Sequence, residues 1–259
     1  MLRTPGSCQV VPAKLDVAKS TWVDRAFSMV LLLPFAVAIG YLHEVKGVPF
    51  KVFLLGSGSW GLGCIVKLFF YHGLVRKLSH DPSRILGTAA VHGLASGVSE
   101  LGAALAFFAF LPALNFWEVV AFGIGIGTIE ALLVATNTNV FKGTALEQAA
   151  AAYEAMLDTL SEASRLVYRH ILPISERILA AVIHVGTRGL TYVAYHTFHL
   201  QPLLVALAAF LLADGILGYR WIYQGRVRER RALIQLYAAI SALAAIELVG
   251  FLFYWPDRG

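Results

Sequence analysis

The sequence predicts an all-α fold, a polytopic membrane bundle of about seven transmembrane helices, and three observations carry that expectation. First, 58% of the 259 residues are hydrophobic and only 14% are charged, with a mean hydropathy of +0.69, whereas soluble domains run near 25% charged. Charge this sparse could not cover a soluble domain of this size, which excludes a disordered chain, a secreted disulfide scaffold and a soluble nucleotide-binding enzyme. Second, seven apolar runs reach or approach the roughly 20 residues that a hydrocarbon core demands. Third, the Lys and Arg residues fall on alternate connections between those runs.

In chain order the expected spans are Ala26 to Leu42, Pro49 to Tyr71, Ile85 to Leu111, Phe116 to Phe141, Ile178 to Phe198, Pro202 to Tyr219 and Ala232 to Trp255. The first and sixth are the shortest, and no internal repeat is visible. Sixteen of the twenty-one Lys and Arg residues lie in the amino-terminal segment and the second, fourth and sixth loops, against Lys46, Lys51 and Arg258 on the other side. Lys67 and Arg188 fall within spans. The positive-inside rule therefore places the amino terminus in the cytoplasm and the carboxyl terminus outside. Residues 1–21 have no apolar core followed by a cleavage site and read as a cytoplasmic tail, leaving 22–259 as one transmembrane domain. Cys8 and Cys64 lie in the tail and in an apolar run, so no disulfide between them is expected.

The fourth loop, 142–170, is the one long polar segment. Thr144-Ala-Leu-Glu147 is a capping-box pattern. Leu146, Ala150, Tyr153, Leu157, Leu160 and Val167 then recur at a helical spacing, opposite Glu154, Asp158, Glu162, Arg165 and Arg169. The pattern predicts an amphipathic cytoplasmic helix over about 144–169, lying on the bundle or the headgroups, or docking a partner.

Ionisable groups inside apolar spans are costly, at about 2.5–3.5 kcal/mol for a central charge, so each is a functional candidate. They are His92 and Glu100 in span 3, Glu130 in span 4, His184 and Arg188 in span 5, and Asp214 in span 6, with Lys67 near the cytoplasmic end of span 2. His184 stands seven residues from Arg177, roughly 10 Å along a helix, and Asp214 six from Arg220. Groups from four consecutive spans, Glu100, Glu130, His184 and Asp214, are thus expected to converge on one cavity. Arg188 pairing with Glu or Asp is the plain structural expectation. Carboxylate and imidazole are also the ligands of a zinc ion, with His184, Asp214 and His92 as candidate ligands and Glu100 or Glu130 as candidate base, though no HExxH-type pair is present. His196 and His199, at the end of span 5, are a weaker metal pair, and the last span holds no lysine for a retinal Schiff base. The glycines of spans 3 and 4 are expected to let those two helices pack closely together.

At these residues the chain resembles the YhfC-type membrane proteins, intramembrane metallopeptidases related to PrsW and to the CAAX prenyl endopeptidase and bacteriocin-processing group. The likeness runs from about Ile85 to Arg220. Ala95-Ser-Gly-Val-Ser-Glu-Leu-Gly-Ala103 is similar to a family motif A-G-x-x-E-E-x-G-R, with Ser99 at the first glutamate and Ala103 at the arginine. Gly123-Ile-Gly-Ile-Gly-Thr-Ile-Glu130 is similar to G-x-G-H-G-G-I-E, with Ile126 at the histidine. Glu176-Arg177 through His184 keeps the family's E-R-x-x-A and following histidine, and Phe210 through Asp214 keeps the aspartate without its histidine. The resemblance implies a site in which the first glutamate activates water and histidines bind the metal. This chain retains one of three such histidines and a serine in place of the base, which cannot serve as a general base unaided.

The expectation that follows is a multi-pass protein of a bacterial inner or organellar membrane that acts by binding, with no cofactor. Its partners are the bilayer and a transmembrane helix of another protein or a larger complex, and nucleic acid is not among them. An active zinc peptidase and an ion or proton carrier are the alternatives. Arg188, Glu176 and Arg177 are expected to form ion pairs.

Overall fold

The computed structural model describes residues 22–70, 73, 85–136, 154–219 and 230–255. Each of the seven expected spans lies on a helix, the end of the fourth over 137–141 lying outside the described residues: α1 (Trp22–Glu44), α2 (Phe50–Phe70), α3 (Ile85–Phe110), α4 (Phe116–Ala135), α5 (Glu162–Thr197), α6 (Leu200–Phe210, wound on as a π-helix over Leu211–Tyr219) and α7 (Arg230–Tyr254). No strand occurs among the described residues. Helices α2 to α7 are each long and apolar enough to cross a membrane. Helix α1 has 23 residues, about 35 Å at 1.5 Å per residue, and its described apolar part is Met29–Glu44. The tail 1–21 and the capping box at Thr144–Glu147 lie outside the described residues.

Helix α5 is the axis of the bundle. Every residue from His184 to Ala194 is buried, and α5 touches α1, α3, α4, α6 and α7. A helix surrounded on all sides needs its polar groups satisfied internally. Accordingly, the Thr187 and Thr191 hydroxyls donate back to the carbonyls of Ile183 and Thr187, each at 2.7 Å.

Two expectations are corrected. The helix foreseen over 144–169 is interrupted at 159–161, where the N–H groups of Thr159 and Leu160 close tight turns onto Met156 and Leu157. Ser161 then caps a new helix, its hydroxyl accepting from the Ser164 N–H. That new helix is α5 itself, 36 residues long, so the second half of the expected cytoplasmic helix is continuous with the fifth span. A π turn at Val167–Ile171 falls just ahead of Pro173, which has no N–H to close the regular ladder. The glycines of spans 3 and 4 also do not serve a contact between those two helices. In α4, Gly123 lies against the Val185 backbone of α5 and Gly125 against the Phe53 carbonyl of α2, leaving no room for a Cβ. In α3, Gly93 faces Gly215 of α6, where an added Cβ would come within 2.8 Å of backbone.

The aromatic core gathers at one end of the bundle. Phe108 packs on Phe122 and Tyr192 with ring centroids 4.9 and 5.2 Å apart. The Tyr192 hydroxyl accepts from the Leu114 N–H and donates to the Leu114 carbonyl, pinning the α3–α4 connection onto α5. Helix α4 begins there with a capping box: Asn115 Oδ1 accepts from the Glu118 N–H and Glu118 Oε2 from the Asn115 N–H. Lys46, on the α1–α2 connection, lies over the Trp117 ring, and Trp255 after α7 meets Phe116. The first and third connections and the end of α7 thus share one end, as an odd number of alternating spans requires.

Candidate functional site

The intramembrane charges occupy the middle of the bundle and the opposite end. Their contacts form two clusters. In the first, Arg188, fully buried on α5, donates to Glu100 Oε2 of α3 at 2.8 Å. Glu100 Oε1 is 3.6 Å from Lys67 Nζ of α2, which in turn donates to Asp214 Oδ2 of α6 at 3.0 Å. The signs therefore alternate along Arg188, Glu100, Lys67 and Asp214, so each carboxylate has a cation and the row is neutral. The Ser96 hydroxyl lies against Asp214 Oδ2 and 3.4 Å from Glu100 Oε1.

Local sequence explains how these groups meet. Glycine at 63 lets α2 run within van der Waals contact of the Glu100 backbone, one helical turn from Lys67. The close pass of Gly93 by Gly215 brings α6 onto α3, and π-helical winding over Leu211–Tyr219 carries Asp214. Arg188 Nη1 also donates to Thr187 Oγ1, and its guanidinium stands 5.2 Å from the Phe210 ring centre.

In the second cluster Glu130 of α4 is the hub. Its Oε1 accepts from Trp60 Nε1 at 2.8 Å and lies 3.2 Å from His184 Nε2, while its Oε2 is 3.4 Å from Arg177 Nη1. Arg177 donates through its other arm to Glu176 at 2.5 Å. His184 Nδ1 is buried with no hydrogen-bond partner among the described residues. Cys64 is a half-buried free thiol on α2.

Of the three candidate zinc ligands, His184 points Nε2 at Glu130, and Asp214 is held by Lys67 and Ser96. His92 turns Nδ1 toward the Asp214 backbone carbonyl at 3.2 Å. Among the described residues, no three His, Cys, Asp or Glu side chains stand together as an ion's ligands, where a catalytic zinc takes three. The Ser99 hydroxyl donates to the Ala95 carbonyl of its own helix at 2.7 Å.

Ser96 and Trp60 are partners that sequence reasoning did not assign to the site, and Lys67 was expected only as a charge near a span end. Glu247 of α7 was passed over altogether, although a glutamate inside an apolar run is the same signal that marked Glu100 and Glu130. It is 1% exposed against Gly186 of α5, and its Oε2 has no hydrogen-bond partner among the described residues. No family model matches the chain, and neither a curated protein nor a solved structure matches it.

Proposed function

We propose that this chain is a non-catalytic multi-pass membrane protein that works by binding, either to a transmembrane helix of another protein or as a subunit of a larger membrane complex. The reading keeps the resemblance to intramembrane metallopeptidases as one of scaffold without chemistry. The observation that carries it is the occupation of the reactive atoms: Glu100 and Asp214 are each held by a fixed cation, and Glu130 by Arg177, His184 and Trp60. A water-activating carboxylate needs a free oxygen facing a bound water and substrate. Buried ion pairs that neutralise one another instead fix how helices meet. The orientation that goes with this reading has residues 1–21 in the cytoplasm, because most of the Lys and Arg residues then lie inside.

Metal content tests it. Elemental analysis of the detergent-purified protein beside His184→Ala is expected to give no stoichiometric zinc in either. About one zinc per chain, lost in the variant, would replace this reading with the peptidase. Under a carrier reading, Glu130→Gln would abolish proton flux in liposomes. Under the binding reading the variant and the parent protein give the same background flux.

A further inference from the structure

One buried acid takes no part in the charge clusters. Glu247 stands on α7 seven residues before Tyr254 and seventeen after Arg230, about 10 and 25 Å from the two ends of the helix, so it lies well inside the span. It is 1% exposed, and its Oε2 has no hydrogen-bond partner among the described residues. The side chain starts at a close approach of α5 and α7, where a Cβ on Gly186 would come within 2.7 Å of the Glu247 Cβ and carbonyl carbon. Its own Cβ therefore faces α5, and the short stem of a glutamate gives the carboxyl no route to water while α7 stays in place.

No cation answers it from the helices packed around α7, which are α5 and α6, with α4 reached through Phe116 on Phe251. Helix α5 turns Gly186, Gly189 and Leu190 to α7. The ionisable residues of that stretch face elsewhere: His184 to Glu130, Arg188 to Glu100 and the Tyr192 hydroxyl to Leu114. Helix α6 has no ionisable residue from Leu200 to Phe210, and Asp214 beyond it is held by Lys67 and Ser96. At the start of α4, Glu118 accepts from the Asn115 N–H. On α7 itself the other ionisable residues, Arg230, Arg231, Tyr237 and Tyr254, are seven or more residues away. Glu100 and Glu130 are each met by an arginine, and Glu247 by none among the described residues. A carboxylate at this depth with neither a cation nor water is costly, whereas the protonated acid is neutral.

We infer that Glu247 is a proton-binding site of the bundle, and that α7 stays seated on α5 while the proton is bound. Loss of the proton sets a bare charge against Gly186, and that charge reaches water only if α7 swings off α5. The outer side of α7 offers no obstacle to this movement, since Ile246, Val249 and Phe253 are exposed there. The site goes beyond the binding function proposed above and depends neither on it nor on the charge clusters.

Infrared difference spectroscopy of the full-length protein in detergent at neutral pH, parent minus Glu247→Gln, tests the proton directly. The carbonyl stretch of a protonated carboxylic acid is expected in the parent and is absent from the variant. Thermal unfolding of both proteins over a range of pH tests the seat. In the parent the folded state binds a proton that the unfolded chain has released, which makes stability fall as pH rises, and glutamine has no such titration. Between about pH 6 and about pH 9 the parent should therefore drop by about 5 °C or more in melting temperature relative to Glu247→Gln. Should Glu247→Gln not fold, Glu247→Leu takes its place in both measurements, since leucine is also neutral at every pH. The same band in parent and variant, or no protonated-acid band in the parent at neutral pH, overturns the proton site. Melting temperatures that move in parallel with pH overturn the coupling to α7.

Discussion

Arg188→Met should lower stability by about 3–5 kcal/mol, because it leaves Glu100, 3% exposed in the middle of the bundle, without its closest cation. Lys67 lies farther from Glu100, at 3.6 Å, and already serves Asp214 at 3.0 Å, so it cannot compensate fully. Adding Glu100→Gln to the same protein should recover more than half of the loss. Removing both members of a buried pair avoids the uncompensated charge that makes removal of one so costly, while Lys67 and Asp214 remain paired. Thermal unfolding of the parent, Arg188→Met, Glu100→Gln and the double variant in one detergent, followed by circular dichroism, measures the coupling. A double variant no more stable than Arg188→Met would show that Glu100 and Arg188 do not depend on each other.

The membrane bundle was legible because its signal is additive: composition and run length sum over 259 residues, and errors at single positions cancel. The expected spans differ from the helices by a residue or two where a span ends in a short turn, as at Glu44 and Phe110. They differ most at α5, where the helix runs back to Glu162 through polar residues that a hydropathy window rejects. The candidate site was partly legible for a related reason. A charge in hydrocarbon is expensive wherever it lies, so Glu100, Glu130, His184, Arg188 and Asp214 are marked by type alone, and pairing of Arg188 with a carboxylate follows from cost.

Which groups pair depends on the rotation of each helix about its axis and on local winding, and residue type carries neither. Asp214 reaches Lys67 from a π-helical stretch, which no period of 3.6 residues anticipates. Lys67 counted toward a span end, yet it bridges two carboxylates. Ser96 and Trp60 gave no warning, since serine and tryptophan in apolar runs have many uses. The capping box at Asn115–Glu118 was readable by the rule applied to Thr144–Glu147, and it marks the start of α4. Glu247 needed no new rule at all.

Gly125→Val should be nearly as damaging as the loss of Arg188, whereas Gly102→Ala should be harmless. Both glycines belong to small-residue stretches of apolar helices, and only their surroundings separate them. A Cβ at 125 would run into the Phe53 backbone carbonyl of α2, an obstacle that cannot rotate away, and the Gly125 carbonyl also accepts the Ser57 hydroxyl at 2.8 Å. Overpacking typically costs about 1–3 kcal/mol and more where backbone must shift; for valine here about 3 kcal/mol or more is expected, with α2 pushed off α4. At 102 the same atom would meet nothing within 4 Å. Alanine there is worth up to about 1 kcal/mol in helix stability over glycine, so a small rise in melting temperature is expected. The pair tests packing, because the two positions differ in what an added Cβ would meet. Equal melting temperatures for Gly125→Val and the parent protein would mean that α2 and α4 do not approach as closely as Gly125 and Phe53 require, and with them would go the path that brings Trp60 to Glu130.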